Sequence, residues 1–222
     1  MLAGVVAASS HGAEPATSLA WPPAGLTVAA PASDPDQLKP PAPASIWKDK
    51  VGNGFRKGAL EAGVSLGASL GSQILGSTDA HDLGLAKLSV GRVMSEVGSR
   101  DRWPGGNWEL LGEVFGGEQF KPRHASLAGL TAILRYDFAT GTRWVPFFDA
   151  GGGVTDTDIG RPDLGGNFQF NLQTGPGVDW FFHKNFALTF QYRFLHLSSA
   201  GLENPNHGVN TSALYAGISC FF

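Results

Sequence analysis

From Leu60 to the C-terminus the chain is written in period two. Eight runs alternate apolar with polar or small side chains: Leu60–Ser72, Asp82–Met94, Asn107–Gly117, Ser126–Phe138, Trp144–Thr155, Asn167–Phe181, Phe186–Ser198 and Val209–Phe222. Turn signals separate them, and no long helical pattern interrupts. In a strand, residues i and i+2 share a face, so alternation of this kind gives each run an apolar and a polar side. Each run reaches the roughly 9–11 residues a tilted strand needs to cross a bilayer, whereas no segment approaches the roughly 18 apolar residues of a transmembrane helix. If the chain spans a membrane, it does so as a β-barrel, and eight strands make the smallest usual closed barrel.

The two faces differ in charge as well as in hydropathy. Trp108, Leu110 and Val114 oppose Glu109 and Glu113. Leu130, Ala132, Leu134, Tyr136 and Phe138 oppose Thr131, Arg135 and Asp137. Trp144, Phe148 and Val154 oppose Asp149, and Phe168, Phe170, Leu172, Val178 and Trp180 oppose Gln169, Asn171, Gln173 and Asp179. A charge facing lipid is costly, so in a barrel these charges turn inward. Glu109, Glu113, Asp149 and Asp179 are then expected to meet Arg135 and Arg193 inside. A soluble β-sandwich would reverse the sense, and alternation by itself does not say which face is wet. Strand length, strand number and the terminal aromatic Phe222 favour the antiparallel transmembrane barrel.

Composition agrees. There are 31 glycines and 15 phenylalanines beside only 16% charged residues, which suits strands and turns better than helices. A mean hydropathy of -0.04 is compatible with alternating barrel strands and also with an ordinary soluble domain. The net charge of -3, without a basic block, gives no support to nucleic-acid binding. The single Cys220 excludes an internal disulfide and a cysteine-based metal site. Residues 1–45, rich in Ala and Pro, read as an export signal with a disordered linker, although Met1 is followed by no basic segment. Residues 46–58 read as a polar, glycine-broken lead-in on the periplasmic side, and 59–222 as the barrel.

With both ends of the barrel in the periplasm, the connections after the fourth and sixth runs (Ala139–Arg143 and Phe182–Asn185) are periplasmic turns. Those after the fifth and seventh are longer and rich in Gly and Pro, as expected outside the cell. The connection around Arg100 to Gly106 is longer than that rule prefers. The last hairpin then places Phe186, Leu188, Phe190, Tyr192, Phe194, His196 and Ser198 on one outward face. Asn210, Ser212, Leu214, Ala216, Ile218, Cys220 and Phe222 share the outward face of its second strand. His196 and Ser198, two residues apart, have Cα atoms about 6.6 Å apart. A hydroxyl, an imidazole and an amide at the outer rim of an apolar wall are the parts of a nucleophilic site whose substrate is a lipid of the outer leaflet.

The stretch His196-Leu197-Ser198-Ser199-Ala200-Gly201-Leu202, followed by Pro205-Asn206, Gly208 and Asn210, resembles the PagL family of outer-membrane lipid A 3-O-deacylases. The similarity is strongest over Tyr192–Phe222. It extends more loosely through RWVPFFDAGGGVTDTDIG and GNWELLGEVFGGEQF to GFRKGALEAG. The resemblance implies an eight-stranded barrel, Ser198 as nucleophile, His196 as base, a Gly201 backbone N–H in the oxyanion hole and Asn206 in the loop that shapes the site. It implies hydrolysis of the 3-hydroxyacyl ester of lipid A in lipopolysaccharide, in the outer leaflet and without a cofactor. Two positions depart from the family: Ser199 stands where its oxyanion-hole Asn is found, and Asn210 where its acidic third residue is found.

A second reading is a catalytically silent barrel that binds lipid or stiffens the membrane. Elsewhere, His81, His124, His183 and His207 fall in turns and are expected to be solvated. Asp156, Asp158 and Asp163 in VTDTDIGRPD alternate as calcium ligands can, but fit no complete loop motif and are expected in a solvated outer loop. Glu109 and Glu113 share a face about 13 Å apart, too far for paired acids, and read as interior partners of arginine. Gly151-Gly152-Gly153 lacks the following helix of a phosphate loop. Oligomeric state and acyl-chain preference leave no mark in the sequence.

Overall fold

The alternating runs become eight strands: β1 (Leu60–Gly71), β2 (Asp82–Val93), β3 (Gly106–Lys121), β4 (Ala125–Phe138), β5 (Trp144–Thr157), β6 (Phe168–Phe181), β7 (Phe186–Ser198) and β8 (Val209–Phe221). The computed structural model describes residues 48–98 and 105–222, so the proposed leader and the tip of the β2–β3 connection lie outside the described residues. Consecutive strands pair antiparallel, and β8 returns to β1 with Glu61 opposite Phe221 and Gly71 opposite Thr211, which closes the sheet. Closure leaves no strand edge, the condition for β-structure in a medium that offers the backbone no hydrogen bonds.

β3 runs further than its glycines suggested, and β5 two residues further than expected, to Thr157. β3 continues through Gly116-Gly117 to Lys121 because β4 still offers partners there, Gly117 opposite Leu127 and Gln119 opposite Ala125. The outer β3–β4 hairpin therefore turns in only three residues, 122–124.

The exterior is a belt of exposed apolar side chains, with Leu66, Leu88, Leu130, Leu172 and Leu214 all more than half exposed. Toward the periplasmic end the belt becomes aromatic. Trp108 meets its cross-strand partner Tyr136 edge-on at 4.8 Å, and Trp144 faces Trp180 at 5.9 Å. Such girdles mark the membrane interface. No helix among the described residues is long and apolar enough to cross a membrane; the strands do so.

Inside, the order is apolar, charged, apolar. In the middle layer Arg193 bonds Glu113, Asp149 (2.6 Å) and Gln173 (3.1 Å). Arg135 bonds Asp149 (2.8 Å) and Glu61 (3.0 Å), with its guanidinium 3.9 Å from the centre of the Phe147 ring. Lys87 bonds Glu113 (3.0 Å) and Gln191 (2.7 Å). The expected pairing therefore holds for Glu113 and Asp149, and it gains Glu61 and Lys87. It fails for Glu109, whose carboxylate oxygens have no hydrogen-bond partner among the described residues, and Asp179 accepts from Thr189 instead. Glu109 stands opposite Arg135 across the β3–β4 ladder, but the Arg135 N–H groups are given to Asp149 and Glu61.

Apolar clusters seal both ends. The outer one includes Leu85, Phe115, Leu127, Leu164, Leu197 and Tyr215. The periplasmic one is completed by residues expected to form only a lead-in. The 3-10 segment Lys48–Phe55 inserts Val51 and Phe55 among Val93, Val145, Phe181 and Phe221. Phe55 meets Phe181 edge-on at 5.8 Å, and its carbonyl accepts from Asn107 Nδ2. Gly52, Asn53, Gly54 and Phe55 all have positive φ, which explains the Gly-Asn-Gly sequence: the chain must turn left-handed to enter the mouth.

Removing one partner of a buried ion-pair network leaves uncompensated charge. Arg193→Ala is expected to destabilise the barrel by about 3–5 kcal/mol in urea unfolding from lipid vesicles. Lys184→Ala, in an exposed turn, should shift it by less than about 0.5 kcal/mol.

Candidate active site at the outer rim

The register of the last three strands sets the site. On β7, His196 lies opposite Asn210 of β8, while on the other side Leu172 and Phe170 of β6 lie opposite His196 and Ser198. His196 and Ser198 face outward and are half-buried at the outer end of β7. Asn210 starts on the same outward side, yet it is fully buried, because the β1–β2 loop folds over it. Of the three residues expected on the outward face, His196 and Ser198 thus remain partly open to the exterior, and Asn210 is covered.

His196 Nδ1 lies 2.7 Å from Asn210 Oδ1, and Asn210 Nδ2 donates to the Ile74 carbonyl at 2.7 Å. A carbonyl can only accept, so the amide nitrogen must face Ile74 and the amide oxygen must face the ring. His196 then carries its proton on Nδ1 and leaves Nε2 with the lone pair, the state a general base needs. No hydrogen bond joins Ser198 Oγ to the imidazole among the described residues. Bonds between nucleophile and base commonly tighten only with substrate in place.

Gly208 forms the wall behind the ring. Its φ is +82°, and a Cβ there would stand 2.9 Å from His196 Cε1 and 3.2 Å from the Leu197 carbonyl. Glycine is required twice over, by conformation and by space.

The other loop residues have definite tasks. Ser199 N–H donates to Asn206 Oδ1 at 2.8 Å, so Asn206 ties the end of β7 to the return of the loop. The Ser199 hydroxyl bonds the Glu203 carbonyl (3.3 Å) and accepts from the Glu203 amide (3.2 Å). It is buried and spent within the loop, rather than pointing toward Ser198 as an oxyanion donor. Ala200 and Gly201 both have positive φ, and Leu202 N–H closes the turn onto the Ser199 carbonyl at 3.1 Å, the pattern of a type I′ turn. Gly201 is exposed at its tip.

Two residues expected in solvent are buried beside this loop. Asp163, fully buried, accepts at Oδ1 from the Thr78 amide and hydroxyl (both 2.7 Å), and at Oδ2 from the Asp79 amide (3.0 Å). His81 Nε2 lies 2.8 Å from the same Oδ2, and its Nδ1 lies 2.6 Å from Gln119 Oε1. The reading of His81 and Asp163 as solvated fails because each satisfies the other at a distance of 82 positions in the chain. His124, His183 and His207 are exposed as expected. Asp156 and Asp158 stay exposed, Asp158 accepting from the Ser126 amide, and no group of metal-ligating side chains forms among the described residues.

The model of the family described as lipid A 3-O-deacylase (PagL) matches residues 92–219. The chain belongs to the PagL family. A curated relative, the lipid A deacylase PagL of Pseudomonas aeruginosa, is 29% identical over 106 residues, 46% of this chain and 57% of that protein. The match thus spans a little over half of the relative's length. Among solved structures, the outer-membrane enzyme PagL superposes with a TM-score of 0.52 at 20% identity, covering 69% of this chain and 97% of that one. Neisserial surface protein A gives 0.55 at 19% identity, over 75% and 100%. These two likenesses bear on the fold alone. Together with the family, the apolar belt makes this PagL-family barrel an integral protein of the outer membrane.

Gly208→Ala is expected to push the imidazole off Asn210 while the barrel stays folded. NMR of the protein in micelles should show the slowly exchanging His196 Nδ1 proton lost. Burial alone would raise the Asp163 carboxyl, but the donors from the Thr78 backbone, His81 and the Thr78 hydroxyl outweigh it and hold the group below its ordinary value. A depressed carboxylate stabilises above its unfolded pKa of about 3.9 and ceases to do so as pH falls through the folded value. Exchange protection of the Thr78 and Asp79 amides should therefore be flat from pH 7 to 5 and be lost only below about pH 4.

Proposed function

We propose that this barrel is a serine esterase that removes the ester-linked 3-hydroxyacyl chain from the 3 position of lipid A in the outer leaflet. The observation that carries the reading is the chain of bonds from the Ile74 carbonyl through Asn210 to His196 Nδ1, beside an outward-facing Ser198. Family membership supports the substrate class.

In this reading His196 Nε2 takes the Ser198 proton as Oγ attacks the ester carbonyl. The tetrahedral oxyanion forms at the rim, where the exposed Gly201 supplies a backbone N–H. His196 returns its proton to the departing sugar oxygen, leaving an acyl group on Ser198. Water, deprotonated by the same imidazole, then releases the 3-hydroxy fatty acid and restores the serine. Asn210 fixes the tautomer but contributes no negative charge to the imidazolium. The outward neighbours Phe170 and Leu172 border the reacting ester with apolar surface, which suits an acyl chain entering from the bilayer.

The test is mass spectrometry of lipid A from cells carrying the wild-type chain, Ser198→Ala, His196→Ala or Asn210→Ala. Loss of one hydroxyacyl mass is expected with the wild type and with neither of the first two variants. Asn210→Ala should slow the reaction on the order of a hundredfold, within the range for a mispositioned general base. The absent Ser198–His196 bond and the spent Ser199 hydroxyl favour a second reading, a silent structural barrel. Lipid A left unchanged by folded wild-type protein in the outer membrane would decide for it.

A further inference from the structure

We propose that Asp163 is a positioning residue for the His196–Asn210 pair, acting from the β5–β6 loop without touching substrate. This rests on the esterase reading for its effect on rate, but the geometry stands independently of it. Asp163 holds both sides of the imidazole. Its side chain binds the β1–β2 loop at Thr78, Asp79 and His81. That loop is internally tied, Ser77 N–H to the Ile74 carbonyl at 3.1 Å and Gln73 Nε2 to the Thr78 carbonyl at 2.6 Å. The Ile74 carbonyl so placed is the one that orients Asn210.

The backbone of the same residue holds the opposite wall. The Asp163 carbonyl accepts from the His207 amide at 2.9 Å and the Gly208 amide at 3.3 Å, and Leu164 forms a β-bridge with Asn206. Gly208 is the residue against the imidazole. One buried side chain with four donors on its carboxylate therefore couples three outer loops to the two contacts that fix the ring. His81, passing the link to Gln119 of β3, anchors the assembly to the barrel wall. The carboxylate serves because each of its oxygens accepts two bonds; an amide would turn a donor toward the Asp79 amide and His81.

The test compares wild type, Asp163→Ala and Thr78→Val in detergent micelles, with turnover of a short-chain p-nitrophenyl ester and the 15N shifts of the His196 ring as readouts. Folding is controlled by resistance of the barrel to SDS without heating. Asp163→Ala is expected to lower kcat on the order of 10- to 100-fold with KM changed less than about threefold, as displacement of a catalytic group does. Thr78→Val, which removes one donor, should cost roughly two- to tenfold and settles the matter if Asp163→Ala does not fold. The ring shifts should change from a single Nδ1–H tautomer to an averaged pair. Unchanged kcat and unchanged tautomer in a folded variant would overturn the proposal, as would a rise in KM alone. If the wild type turns over no ester, the esterase reading fails separately. The ring shifts then decide: a changed tautomer upholds the positioning role, and an unchanged one ends it.

Discussion

Asp149 accepts from Arg135, Arg193 and Gln191 at once, and across this carboxylate the walls of the barrel are tied together. The arrangement follows from the solvent. In hydrocarbon an outward charge is expensive, so Glu61, Lys87, Glu113, Arg135, Asp149 and Arg193 face a common interior, where low dielectric favours their pairing. Because the interior is only as wide as eight strands allow, three basic side chains bridge opposite walls directly. The apolar clusters at each end keep water from that layer. The periplasmic one depends on Phe55, which lies before the first strand and enters the barrel mouth.

A wall held in this way fixes the register of β7 against β8 to the residue. That register sets His196 opposite Asn210. A slip of one residue would turn the histidine inward and the arginine beside it toward lipid, so the same force that pairs Arg193 also aims His196. The His196–Asn210 pair is thus a by-product of charge burial at its own strand, refined above the membrane by the loops. There the logic changes. Loop backbone groups need partners of their own, and Asp163, Asn206 and Ser199 supply them.

Much of this was legible in the chain. The strands were visible in period two because burial and exposure alternate along each one, and strand length, strand number and the terminal Phe222 indicated that the charged face was the inner one. The His196, Ser198 and Asn210 grouping could be read because all three lie on one hairpin, where spacing converts directly into position. Glu61 and Lys87 were missed because their partners, Arg135 and Glu113, are on other strands, 74 and 26 positions away. Phe55 was missed because its segment is polar and broken by glycine, features that mark a turn whether it lies in water or in a barrel mouth. Gly116-Gly117 looked like the end of β3, since local propensity cannot register that β4 still offers it partners.

The sequence by itself determined the class of this protein: an eight-stranded membrane barrel with a hydroxyl and an imidazole on the outer rim of its last hairpin. Those properties are periodic or local, and side-chain alternation and i to i+2 spacing carry them without reference to the rest of the chain. Only the tertiary structure decided that Asn210 is sheltered and accepts from the imidazole, that Ser199 is spent within its own loop, and that Asp163 and His81 are buried together. Each of these depends on which atom of a loop meets which atom of another, and a hydrogen bond between residues 82 positions apart leaves no periodic trace.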